Sequence, residues 1–122
     1  MTRMSKVLAY AASFFLFSAI ANAQGVSPNV SISGGVQTIL IETGEGYSPE
    51  ATVAKSGIPS VLKMKTTGLI DCSLALVIPA LRYRATLPVK GETSIDVPPQ
   101  ARGSKLQGLC SMAMYSFEIT FN

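Results

Sequence analysis

From Val30 onward the apolar residues fall in short runs of four to eight, rich in Val, Ile and Thr and separated by Gly and Pro. That rhythm predicts strands, and no stretch carries a competing helical period. The runs predict strands over Val36–Glu42, Ala51–Lys55, Ser60–Thr66, Leu74–Ile78, Ala85–Val89, Thr93–Val97 and Tyr115–Phe121. The last run alternates most clearly. Tyr115, Phe117, Ile119 and Phe121 share one face and Ser116, Glu118 and Thr120 the other, which sets an aromatic row toward a core and a polar row toward water. Met64, between Lys63 and Lys65, falls on the core side of its run by the same alternation. Turn signals at Gly44-Glu45-Gly46, Ser56-Gly57, Thr67-Gly68, Lys90-Gly91, Pro98-Pro99 and Arg102-Gly103 punctuate the runs at near-regular intervals. Together these features predict an all-β, Greek-key β-sandwich of about seven strands.

The N-terminus has a different pattern. Arg3 and Lys6 precede the apolar stretch Val7 to Ile20, which ends in Ala21-Asn22-Ala23. Fourteen apolar residues are short for a membrane span, and a small-x-small triplet suits a signal peptidase. The expected organisation is therefore a cleavable signal peptide over 1–23, a flexible polar lead-in over 24–35 and one domain over 36–122. Cleavage after Ala23 leaves Gln24 first, which is not the cysteine of a lipoprotein, so no membrane anchor is expected on the 99-residue product. The signal style places that product in the periplasm.

Cleavage also changes the charge. Without Arg3 and Lys6 the chain keeps eight Lys and Arg against seven Asp and Glu, so the basic character of the whole sequence nearly vanishes. Nucleic-acid binding needs a basic footprint that releases counterions, and none is left. Lys63, Lys65, Arg82, Arg84, Arg102 and Lys105 are scattered, which suits a solvated face as well as a docking surface for an acidic partner. Catalysis is equally poorly provided for: there is no histidine, no suggestive carboxylate pair, no G-x-S-x-G and no phosphate-cradling glycine loop. No enzyme activity is expected.

The candidate chemistry is sulfur. Cys110-Ser111-Met112-Ala113-Met114-Tyr115 packs three sulfur atoms into five residues, and Cys72 is the only other cysteine. Thiolates and thioethers without imidazole select Cu(I) or a similar soft ion over Zn(II), Cu(II) or Mg(II). An extended chain would point Cys110, Met112 and Met114 to one side, and a loop could converge them as well. Two other readings stand beside this one. Methionines are common gap-fillers in cores, and two cysteines in an exported domain commonly form a structural disulfide. A bridged resting form that takes copper only after reduction would combine them. Asp71, beside Cys72, either raises the thiol pKa or caps a turn.

The segment from Gln37 to Phe121 resembles a cupredoxin domain of the cysteine-methionine, Cu(I)-binding kind. The residues that carry the likeness are Gly46-Tyr47-Ser48-Pro49, the run Ala51 to Gly57, Asp71-Cys72, Val77-Ile78-Pro79, Leu87-Pro88-Val89-Lys90-Gly91 and Cys110 to Tyr115, in that order. In blue-copper cupredoxins a mid-chain histidine is the first ligand and the last loop supplies Cys, His and Met. Here Cys72 stands where that first histidine would be, and no histidine follows Cys110. The resemblance therefore implies Cu(I) storage, delivery or tolerance, with one or two ions held by Cys72, Cys110, Met112 and Met114. It implies exchange of the ion with a copper donor or acceptor protein, such as an exporter or an oxidase. Blue-copper electron transfer and the dinuclear centre of cytochrome oxidase both need histidine and are excluded by composition.

Overall fold

A computed structural model describes residues 25–122, so the expected signal peptide and its cleavage site lie outside the described residues. Among the described residues ten strands form two five-stranded sheets. The first sheet runs β1 (Val30–Ser33), β2 (Val36–Thr43), β5 (Ser60–Thr67), β8 (Lys90–Val97), with β3 (Tyr47–Ser48) also paired to β2. The second runs β4 (Ala51–Ala54), β10 (Ser116–Phe121), β9 (Lys105–Cys110), β6 (Ala75–Ile78), β7 (Tyr83–Thr86). The pairs β2–β5 and β4–β10 are parallel and the others antiparallel.

Period-two alternation makes one face of each sheet apolar, and the two faces close on one core. Ile39 and Ile41 of β2, Leu62 and Met64 of β5, and Ile95 and Val97 of β8 meet Leu76, Ile78, Leu106, Phe117, Ile119 and Phe121 from the other sheet. Phe117, Ile119 and Phe121 form the inward row expected of the last strand, while Tyr115 stands just before β10 and is only partly buried. Met64 is a core residue, as its alternation indicates.

Gln37 is a fully buried polar side chain, and it is fully bonded. Its amide nitrogen donates to the Lys55 carbonyl at 3.0 Å and to Ser60 Oγ at 2.9 Å, and its oxygen accepts from the Lys55 amide at 2.8 Å. Buried polar groups are tolerated when paired in this way, and the set joins β2 to the chain just beyond β4 in the opposite sheet.

Four expectations change. Residues 24–35 are not a loose lead-in throughout: β1 pairs with β2, Ser27 exchanges two hydrogen bonds with the Val53 backbone, and Asn29 Nδ2 donates to the Leu40 carbonyl and to Thr52 Oγ1. Those polar contacts add to the apolar anchoring by Val30, which is in the core, and Val26, which packs against it. Lys105–Cys110 forms a strand, β9, that was not expected. Strand β7 ends at Thr86, because the Leu87 amide turns to the Leu74 carbonyl at 2.7 Å and Pro88 has no N–H for a ladder. Strand β8 begins at Lys90, where pairing with Thr67 and Thr66 of β5 holds even Gly91 in register.

Candidate functional site

Cys72, Cys110, Met112 and Met114 all lie at one end of the sandwich, where four loops are tied together. The Gly68 amide donates to the Val89 carbonyl at 2.9 Å, and the Glu45 amide donates to Asp71 Oδ2 at 2.6 Å. Gly46 has φ of 101°, and a Cβ there would stand 3.0 Å from the Tyr115 ring, so the β2–β3 turn can press against the Cys110 loop only as glycine.

Cys72 opens a 3₁₀ turn, Cys72–Leu74, on the crossover from β5 in one sheet to β6 in the other. Asp71 caps that turn: its Oδ1 accepts from the Ser73 amide at 2.8 Å and from the Ser73 hydroxyl. The Ser73 hydroxyl is the main reason the Asp71 carboxyl lies below its ordinary pKa. It prevails over a loss of hydration, and the amides of Ser73 and Glu45 add to it. Asp71 is therefore a turn cap, the second of the two roles its position allowed.

From below, Tyr47 Oη donates to the Ser73 carbonyl at 2.9 Å, and the Tyr47 ring meets Phe117 edge-on with centroids 5.0 Å apart. Phe117 in turn lies over Gly108 of β9, where a Cβ would enter the ring. The Cys72 turn is thus supported from the core through Tyr47 and Phe117 to β9, the strand that carries Cys110.

Burial, with the Asp71 charge added, pushes the Tyr47 phenol up to about 12. Its folded pKa exceeds the unfolded value, so the folded state holds this proton more tightly. The resulting stability is complete below pH 10 and is lost as pH rises from 10 toward 12. Tyr47→Phe is expected to cost about 1–2 kcal/mol at neutral pH, because the buried Ser73 carbonyl loses its donor. The gap between wild type and variant is expected to close between pH 10 and 12 in denaturant titrations. A gap that stays constant through that window would remove the phenol from the account.

Cys110 is the last residue of β9 and follows Leu106 and Gly108 on the core face, with no exposed surface. Its Cα lies 5.8 Å from that of Cys72, and the two sulfurs are joined in a disulfide. Cys72 itself is partly exposed. After Cys110 the chain does not stay extended. The Ala113 amide donates to the Cys110 carbonyl at 2.7 Å, Ala113 adopts φ of 57°, and the Cys110 amide donates to the Tyr115 carbonyl at 3.0 Å. The turn brings the Met114 amide to 3.2 Å from Cys110 Sγ, to which it donates. Period-two placement of the three sulfurs is thereby replaced by a tight loop, and the gap-filler role also fails for two of the methionines: Met112 is 71% exposed and Met114 64%.

The sequence pattern located all four sulfur residues at this end. It offered Asp71 as a turn cap but did not reveal the Ser73 and Tyr47 contacts, although Gly46-Tyr47-Ser48-Pro49 was part of the resemblance. The rim around the sulfurs is apolar as well, through the exposed side chains of Leu69, Ile70 and Val89. Among the described residues no three His, Cys, Asp or Glu side chains converge in a cluster that could hold a metal ion.

Two solved structures share this architecture. The metal-binding domain of the Cu(I)-exporting P-type ATPase CopA of Streptococcus pneumoniae D39, solved with Cu(I), aligns with a TM-score of 0.64 at 24% identity, over 76% of this chain and 92% of that one. A copper-binding protein solved by NMR in the apo form aligns with a TM-score of 0.68 at 24% identity, over 76% and 94%. The shared feature is the fold. No protein-family model matches the sequence, and no curated protein matches it.

Proposed function

We propose that this chain is an exported Cu(I)-binding protein for copper storage, delivery or tolerance, of the Greek-key, cupredoxin-like kind. The observation that carries the reading is the gathering of Cys72, Cys110, Met112 and Met114 at one end of the sandwich, with both methionines exposed. Exposed thioethers cost apolar surface in water and have no packing role, so a ligand role accounts for them better. The likeness in fold to two copper-binding proteins supports the same reading.

Cys72 and Cys110 supply thiolates and hold the ion tightly. Met112 and Met114 are neutral outer donors, positioned to meet an incoming partner, and allow one ion or two. Delivery then proceeds by ligand exchange: a thiol or thioether of a copper donor or acceptor, such as an exporter or oxidase, enters the coordination of Cu(I) as a methionine leaves. The compartment proposed is the periplasm, and the protein acts as a carrier with no catalytic step of its own.

One observation favours a second reading. The Cys72–Cys110 bond makes the protein a candidate disulfide-braced structural or adhesive domain. Native mass spectrometry separates the two. The protein is reduced without oxygen, offered Cu(I) and challenged with a strong Cu(I) chelator. Retention of one or two ions supports the copper reading, and a metal-free spectrum replaces it with the structural one.

A further inference from the structure

We infer that Cys72 Sγ is the entry point for a dithiol reductant, and that exchange at this sulfur opens the copper site. This inference rests on the copper reading and adds to it a second kind of partner and a fixed order of events. A disulfide sulfur is a poor ligand, and each cysteine must be present as a thiolate to hold Cu(I). The bond between Cys72 and Cys110 therefore closes the site until two electrons arrive.

Thiol–disulfide exchange begins with a thiolate touching one of the two sulfurs, and the other sulfur leaves. The surroundings of the two are unequal. Cys110 has no exposed surface, being on the core face of β9 under the turn from Ser111 to Met114. Cys72 is partly exposed, at the start of its 3₁₀ turn and close in sequence to the exposed Leu69 and Ile70. An external thiolate can reach Cys72 alone. Cys110 is then the leaving group, and the Met114 N–H already directed at its sulfur stabilises the negative charge that develops there.

The reductant's thiolate attacks Cys72 Sγ. A new sulfur–sulfur bond forms, the Cys72–Cys110 bond breaks, and Cys110 departs with the electron pair as a thiolate. The second thiol of the reductant gives up its proton and attacks its own bound sulfur, which releases Cys72 as a thiolate. The reductant leaves as a disulfide, two electrons have passed to the cysteine pair, and the two protons of the dithiol go to the cysteines or to water. Cu(I) then displaces any proton the cysteines carry. The partner class is thus a dithiol oxidoreductase or small dithiol, with an apolar surface suited to the Leu69 and Ile70 approach.

The test uses the oxidised wild-type protein and two measurements. In the first, no copper is present: the protein is mixed with glutathione, a monothiol that lacks an internal second thiol to resolve the mixed disulfide. It is then acid-quenched at the earliest times, before a second glutathione or the freed cysteine attacks the adduct, alkylated and mapped by peptide mass spectrometry. Glutathione predominantly on Cys72, with an alkylated Cys110, is expected. Adducts mainly on Cys110, or equally on both, would overturn the order of attack.

In the second, oxidised protein and protein reduced with dithiothreitol each compete with a Cu(I) chelator. Copper on the reduced form alone supports the gate. Equal retention by both forms overturns the gate and leaves the copper reading standing. Retention by neither overturns the copper reading and the gate with it, while the glutathione map still reports which sulfur is attacked.

Discussion

Cys110→Ser is expected to leave no copper on the reduced protein after a chelator challenge, whereas Met112→Ala combined with Met114→Ala should retain some. The difference follows from charge. A thiolate meets Cu(I) with a full negative charge, and in Cys110 that charge is held in a buried position with the Met114 amide as donor. Serine at this position stays protonated at neutral pH and offers a hard oxygen, which a soft ion declines. The methionines are neutral and exposed, so in the proposed site their removal deletes only weak outer donors. Their loss should weaken binding by roughly 10–100-fold, the scale seen when supporting interactions at a metal site are removed, or eliminate a second ion. Chelator competition read by native mass spectrometry distinguishes the cases, with reduced wild type as the reference because Cys110→Ser also lacks the bridge. Equal losses from the two variants would refute this division of roles. A pH series adds a check: retention by the cysteines should fall as pH drops, since protons compete for thiolates and not for thioethers.

Breaking the bridge without supplying metal is expected to lower stability by about 4 kcal/mol. The closed loop spans 38 residues, and the chain-entropy estimate for a loop of that size gives the figure. For a small domain this is a large share of the usual total of about 5–15 kcal/mol. Denaturant titration of oxidised and reduced protein, with Cys72→Ala as a covalent control, measures it. A loss under about 1 kcal/mol would mean that the bridge constrains the unfolded chain far less than the entropic account requires. Cu(I) should restore much of the loss, because an ion held by Cys72 and Cys110 closes the same loop. Binding to the folded state alone adds about 2.7 kcal/mol when free ligand is a hundredfold above its Kd.

The parts of the fold that were legible in the sequence were those with large side chains on one face. The row Phe117, Ile119, Phe121 shows its period without ambiguity, and the strand it predicts is there. Strand β9 has the same period in Leu106, Gly108 and Cys110, but its middle position has no side chain, so the apolar signal is broken where Phe117 occupies the space. The hidden strand mattered, because it places Cys110 on the core face. The stretch ahead of β2 was obscure for a different reason: Ser27 bonds the Val53 backbone and Asn29 bonds the Leu40 carbonyl and Thr52 Oγ1, partners distant in sequence that leave no local pattern. At the sulfur end the residue types were readable from composition, and the redox state of the two cysteines was not. Whether two cysteines bond depends on a 5.8 Å approach of backbones that are 38 residues apart.

The two ends of the sandwich are held by different kinds of fastening. At one end Gln37 joins the sheets through hydrogen bonds of a neutral amide, which a reductant leaves untouched. At the other end, the crossover carrying Cys72 is clipped to β9 by one covalent bond that any suitable electron donor can undo. The molecule is therefore built like a book with a sewn spine and a clasp. With the clasp undone, the hydrogen bonds from Glu45 to Asp71 and from Tyr47 to Ser73 still hold the Cys72 turn to its neighbours, so a site of the proposed kind can lose its covalent link and regain it while the pages stay in register.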